Sequence, residues 1–168
     1  MKLLNVAAIG LAIALFHQSS TLALTARVMY QDEADGTRGS AYGLEIHAGY
    51  GLTINFRTGE LVQRAWIGDA SGITLSFDSP LCSTDSRQQT CDSRSGARVI
   101  FINAISEIDF PHQLHSSDGT TLLTVITNTQ KQYQFLIEPM GGDRPSYTTV
   151  TVLPVSQRPA PIPRRNYP

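Results

Sequence analysis

The stretch LTVITNTQKQYQFLIEP, residues 123 to 139, decides the fold class. Leu123, Val125 and Thr127 alternate with Thr124 and Ile126, and Tyr133, Phe135 and Ile137 alternate with Gln134, Leu136 and Glu138. A two-residue period sends successive side chains to opposite faces of a strand. Asn128-Thr129-Gln130-Lys131 separates the runs and supplies the turn. Together they predict a β-hairpin. Its first arm, apolar or Thr on both sides, fits a central strand packed between layers, and its second arm is amphipathic.

The same period continues upstream and downstream. Tyr42, Leu44 and Ile46 alternate with Gly43, Glu45 and His47, and Leu52, Ile54 and Phe56 share one side of the next run. LVQRAWIG from Leu61, GITLSF from Gly72, the apolar run Arg98 to Asn103 and the run Tyr147 to Leu153 are further strand-length segments. Gly and Asp stand between them, and none has the length of a convincing helix. AISEIDF, from Ala104, reads as a helical turn or a short strand, and Pro111 ends it. Seven or eight strands between residues 42 and 153 make the expected fold all-β, a single β-sandwich domain. After it comes a Pro-rich C-terminal tail, residues 154 to 168.

The start of the chain carries an export pattern. Lys2 precedes an apolar stretch from Val6 to Phe16, followed by small and polar residues. This is the pattern of a secretory signal peptide, expected over residues 1 to 26. Both Thr21-Leu22-Ala23 and Leu24-Thr25-Ala26 fit a cleavage site. The apolar run is shorter than the roughly 18 residues that span a bilayer. Residues 27 to 41, polar and Gly-containing, read as a mobile lead-in.

Export gives the cysteines a role. Cys82 and Cys91 flank a polar loop, and in an oxidising compartment such a pair predicts a structural disulfide. The chain has 13 Lys and Arg against 14 Asp and Glu, and loss of residues 1 to 26 removes only Lys2 from that count. Such a balance provides no field for gathering nucleic acid, and no nucleic-acid partner is expected.

Catalytic chemistry has few carriers. His112 and His115 lie three residues apart near Asp109, donor types suited to zinc or copper, but the spacing matches no metal signature and reads as a solvated loop. Ser is abundant without a Gly-x-Ser-x-Gly elbow. Glu45, Glu60, Asp69, Glu107 and Asp109 read as turn and sheet-surface residues. No catalytic, cofactor-binding or metal-binding residue is therefore expected, and no cofactor. Trp66 is of a type that anchors a sugar or a partner, but between Ala65 and Ile67 it is expected in the core.

Gly59-Glu60, the strand ending in Gly68-Asp69, the run Leu123 to Thr127 and Tyr133-Gln134-Phe135 stand in an order that carries a resemblance. Over about residues 42 to 139 the chain resembles the N-terminal domain of the VirB9/TrbG/TraK-like group, outer-membrane-associated components of conjugative and type IV secretion systems. The Cys82 to Cys91 loop looks like an insertion relative to that pattern. The resemblance implies a non-enzymatic periplasmic assembly component of an envelope-spanning complex. Its partners would be envelope complex proteins and further copies of itself, with outer-membrane association only indirect. A periplasmic glycan- or protein-binding β-module is the alternative, which aromatics exposed on one sheet face would favour. Pro159, Pro161 and Pro163 favour extended polyproline-like backbone, and Arg164 and Arg165 add a positive tip. That tail reads either as a partner-docking strand or as a disordered end, dispensable for folding in both cases.

Overall fold

In a computed structural model, which describes residues 25–37, 39–82, 91–142 and 144–161, the chain forms two β-sheets packed face to face. Among the described residues the nine strands are β1 (Thr25–Tyr30), β2 (Tyr42–His47), β3 (Leu52–Phe56), β4 (Val62–Ile67) and β5 (Ile73–Phe77), then β6 (Val99–Ala104), β7 (Thr121–Thr127), β8 (Gln132–Met140) and β9 (Tyr147–Leu153). One sheet has the order β1-β9-β3-β6-β5 and the other β2-β8-β7-β4. The all-β sandwich expected from the sequence is the observed fold.

The core lies where the alternation directs it. Leu44, Ile46, Leu123, Val125, Tyr133, Phe135 and Ile137 from one sheet meet Ile54, Phe56, Ile100, Ile102, Val150 and Val152 from the other. Phe56 sits edge-on to Tyr133 and Phe135, with ring centroids 5.4 and 6.4 Å away. Such aromatic pairs contribute about 0.5–1.5 kcal/mol each beyond their buried area. The hairpin β7–β8 is as predicted, with Thr124 opposite Gln134 and Val125 opposite Tyr133. β7 is central within its sheet, between β8 and β4, but it is not packed between layers: Leu122 on its outer face is 37% exposed. Residues 105 to 110 form neither the helical turn nor the strand considered for them.

The lead-in expected from 27 to 41 is corrected. Residues 25 to 30 are an edge strand, paired in parallel with β9 so that Val28 lies opposite Thr151 and Met29 opposite Val152. Met29 is fully buried, the Ala34 carbonyl accepts a 2.8 Å hydrogen bond from the Gln134 amide, and Gln31 Nε2 donates to the Tyr133 hydroxyl at 3.0 Å. The domain therefore begins at the first described residues and not at Tyr42. This short segment gains its strand conformation from backbone pairing with a partner more than a hundred residues away, which local patterning does not reveal. The proposed signal peptide lies, apart from its last two residues, outside the described residues.

The tail boundary also moves. After Pro154 the chain makes one 3-10 turn, Val155–Gln157, and Arg158 then grips the domain. Its guanidinium donates to both carboxylate oxygens of Asp32, at 2.7 and 2.5 Å, and stacks over the Tyr30 ring at 4.5 Å. Residues 154 to 158 are thus part of the domain surface. Pro159 and Pro161 are exposed, and Pro163, Arg164 and Arg165 lie outside the described residues.

The disulfide between Cys82 and Cys91 is formed, with Cα atoms 5.6 Å apart. It joins the arm leaving β5 to the arm entering β6. Both arms are tied to the start of β4: the Cys82 amide donates to the Gln63 carbonyl, and Gln63 Nε2 donates to the carbonyls of Asp92 and Ser95. Gly96, at φ +140°, allows the Val62–Ala97 bridge, since a Cβ there would meet the Val62 carbonyl oxygen at 2.5 Å. The start of this edge strand is thereby covered by the two arms that the disulfide joins.

Candidate functional site

Two surfaces carry side chains that the packing of the sandwich leaves available. One is the outer face of the β2-β8-β7-β4 sheet. Register places Arg64 opposite Ile126, Trp66 opposite Thr124, and Leu122 opposite Leu136. Because Ala65 and Ile67 point inward, the two-residue period sends Trp66 outward, where it is 51% exposed. This corrects the core position expected for Trp66: strand parity decided its direction, not the hydrophobicity of its neighbours. Leu122 is also exposed, and Ile126 and Leu136 are half-buried beside it. The polar members of the face include Arg64, Thr124 and Gln134.

The other surface is one end of the sandwich, where the turn after β4 meets the long loop between β6 and β7. The Gly68 amide bonds to the Leu122 carbonyl and the Asp69 amide to Thr121 Oγ1, at 2.9 and 2.7 Å, so the Gly68-Asp69 turn is pinned to the start of β7. The Asp69 carboxylate then gathers the loop. Its Oδ1 accepts from the Ser71 amide and from Gln113 Nε2, both at 2.9 Å, and its Oδ2 lies 2.8 Å from His115 Nδ1. The Ser71 amide, with the His115 hydrogen bond behind it, holds the Asp69 carboxyl down to about 2. The hydrogen bond to Asp69 raises His115 above the ordinary 6.5, and the nearby charges of Glu107 and Asp109 act in the same direction.

Asp69, Ser71 and His115 are residue types of a hydrolytic triad, but they are not arranged as one. Ser71 Oγ lies 3.4 Å from His115 Nδ1, the nitrogen already engaged with Asp69. A triad needs the serine on one ring nitrogen and the carboxylate on the other, so that one accepts a proton while the other is held. Here a single nitrogen meets both. The cluster is built to fasten the loop. His112 and Asp109 do not join His115, and among the described residues no group of three or more His, Cys, Asp or Glu side chains is placed to hold a metal ion.

A third cluster lies inside. Glu60, read from the sequence as a surface residue, is 5% exposed and accepts hydrogen bonds from Tyr133 Oη and Thr129 Oγ1 at 2.6 and 2.9 Å, with Lys131 Nζ at 3.1 Å. Gly59, at φ +84°, makes the tight turn that swings Glu60 inward. Burial pushes the Glu60 carboxyl up, and the bonds from Tyr133, Lys131 and Thr129 outweigh it, leaving the group below its ordinary 4.5. Burial and the Glu60 carboxylate together raise Tyr133. The signal for this pair was present in the sequence as a polar residue just past a Gly turn and a Tyr at an inward strand position.

No family model matches the chain, and no curated protein matches it. Among solved structures it is similar to the first Ig-like domain from human CD48 antigen, with 13% identity over 77% of this chain and 94% of that chain. The TM-score of that comparison is 0.22, too low to carry an argument about this chain.

Proposed function

We propose that the chain is a non-enzymatic, exported assembly component of an envelope-spanning complex of the conjugative or type IV secretion kind. It docks a protein partner through the outer face of the four-stranded sheet. The observation that carries this reading is Trp66, 51% exposed and set among Leu122, Ile126 and Leu136 on a flat sheet face. An exposed aromatic anchor with apolar side chains diagonal to it and a polar surround has the anatomy of a protein-binding surface.

The test is a photo-crosslinking residue at position 124, the cross-strand neighbour of Trp66, in the exported protein, with adducts from the cell envelope identified by mass spectrometry. Crosslinks to components of a secretion or conjugation complex, lost in Leu122→Asp, are expected. An absence of protein adducts from an otherwise folded and exported chain would sink the reading.

A second reading has its own observation. Arg64, Thr124 and Gln134 beside an exposed Trp ring also suit a sugar ring stacked on the indole and hydrogen-bonded at its edge. Titration of Trp fluorescence with soluble peptidoglycan fragments separates the two. A saturable change, lost in Gln134→Ala, which keeps the chain's single Trp as reporter, and accompanied by no protein crosslinks, favours the glycan-binding module.

A further inference from the structure

At the end of the sandwich fastened by Asp69, the sheets part to leave a pocket of about 430 Å³, a size at which small-molecule and side-chain sites occur. Ile105, Pro139 and Met140 supply the accessible apolar lining over the buried Ile46 and Ile73, and Asp69, Glu107 and His115 supply the charged groups. Those charges are not equivalent. The Asp69 oxygens are occupied by the Ser71 amide, Gln113 and His115, so the carboxylate and the imidazole spend their charge on each other. Glu107 has no hydrogen bond or salt bridge among the described residues, and its side chain is exposed at the rim. The mouth therefore carries the Glu107 charge beside the Asp69–His115 pair, above an apolar floor, and among the described residues no group of three His, Cys, Asp or Glu side chains is placed to hold a metal ion.

We propose that this pocket binds an alkyl cation, an ammonium or guanidinium on an apolar stem, with the stem against Ile105, Pro139 and Met140 and the charge at Glu107. An anion of the same shape would meet Glu107 with like charge. A neutral alkyl group would gain the floor and leave the carboxylate without a partner. The cation gains both, with the charge kept near water where its desolvation is small. This inference is independent of the sheet face carrying Trp66, which belongs to a different surface of the sandwich. A free amine and a Lys or Arg side chain of a peptide share the required chemistry.

The experiment is a methyl-resolved NMR titration of the disulfide-bonded, exported chain with n-pentylammonium, n-pentanol and pentanoate, and with the blocked peptide acetyl-Ile-Arg-Ile-amide. Saturable shifts at the methyls of Ile105 and Met140 are expected with pentylammonium, with pentanol at least about fivefold weaker and pentanoate weaker still. In Glu107→Gln the preference for the cation over pentanol should vanish while the spectrum stays that of the folded domain. Tighter binding of the peptide would assign the site to a partner's side chain, and binding of the amine alone would assign it to a small amine. Equal affinity for pentanol and pentylammonium, an unchanged preference in Glu107→Gln, or the absence of saturable shifts at these methyls would each overturn the proposal.

Discussion

The hydroxyl of Tyr133 donates a 2.6 Å hydrogen bond to Oε2 of Glu60 and accepts one from Gln31 Nε2 at 3.0 Å. One phenol thereby joins the turn after β3, the strand β8 and the segment after β1. Removing the hydroxyl leaves a buried carboxylate short of its best donor and an amide short of its acceptor. Tyr133→Phe is expected to lower unfolding stability by about 2 kcal/mol, the order found for hydrogen bonds to charged groups. Urea unfolding of the two proteins measures it. A difference below about 0.5 kcal/mol would mean that water replaces the hydroxyl without loss.

The contact between Asp69 and His115 makes the loop between β6 and β7 pH-sensitive, with two edges of opposite sign. The Asp69 pKa is depressed to about 2 from an ordinary 3.8, so its contribution is complete above 3.8 and lost as pH falls through about 2. The His115 pKa is raised above 6.5, so its contribution is complete below 6.5 and lost as pH rises through the folded value. The loop should be held best between those edges. Amide exchange in residues 105 to 120, corrected for its intrinsic pH dependence, should show least opening there. The His115 titration midpoint, read by NMR, should lie above 6.5 and drop in Asp69→Asn. An unmoved midpoint would separate His115 from Asp69.

Arg158 divides the C-terminal segment into a part that belongs to the domain and a part that does not. A chain ending after Arg158 is expected to keep the thermal midpoint of the full chain. Removal of residues 154 to 168, or Arg158→Ala, should lower it by loss of the Asp32 pair and the stacking on Tyr30. The deficit should shrink at high salt, because the ion pair is partly exposed. Equal midpoints for all four proteins would return residues 154 to 158 to the tail.

Processing can be checked against β1. Cleavage after Ala23 leaves the strand Thr25–Tyr30 whole, whereas cleavage after Ala26 removes Thr25 and Ala26, which pair with Tyr147 and Thr149. The exported chain is expected to begin at Leu24. Intact mass and N-terminal sequencing decide between the two sites. Retention of residues 1 to 23 in the envelope-located protein would contradict a cleaved signal.

The disulfide closes a loop whose ends are nine residues apart. In the chain-entropy picture this restricts the unfolded state by about 2 to 3 kcal/mol. The double variant Cys82→Ser, Cys91→Ser should lose that much stability in denaturant titrations while keeping the sandwich fold. A loss of folding altogether would mean that the arms, tied to Gln63, depend on the crosslink to cover the β4 edge.

By itself the sequence determined the strands from Tyr42 onwards, because their stabilisation comes from burying alternate side chains, and that alternation is written locally. The hairpin Thr121–Met140 was legible for this reason, as was the Cys82–Cys91 pair in its polar loop. Only the tertiary structure decided what depends on partners distant in the chain. β1 is a strand because β9 offers its edge, and Arg158 is ordered because Asp32 and Tyr30 meet it. Glu60 is buried because Tyr133 satisfies it, and His115 faces Asp69 because the pinned turn brings the carboxylate to the loop. Trp66 lies between these cases. Its alternation with Ala65 and Ile67 was readable, but which parity faced the core was fixed by register against β7, where Ala65 meets Val125 and Trp66 meets Thr124.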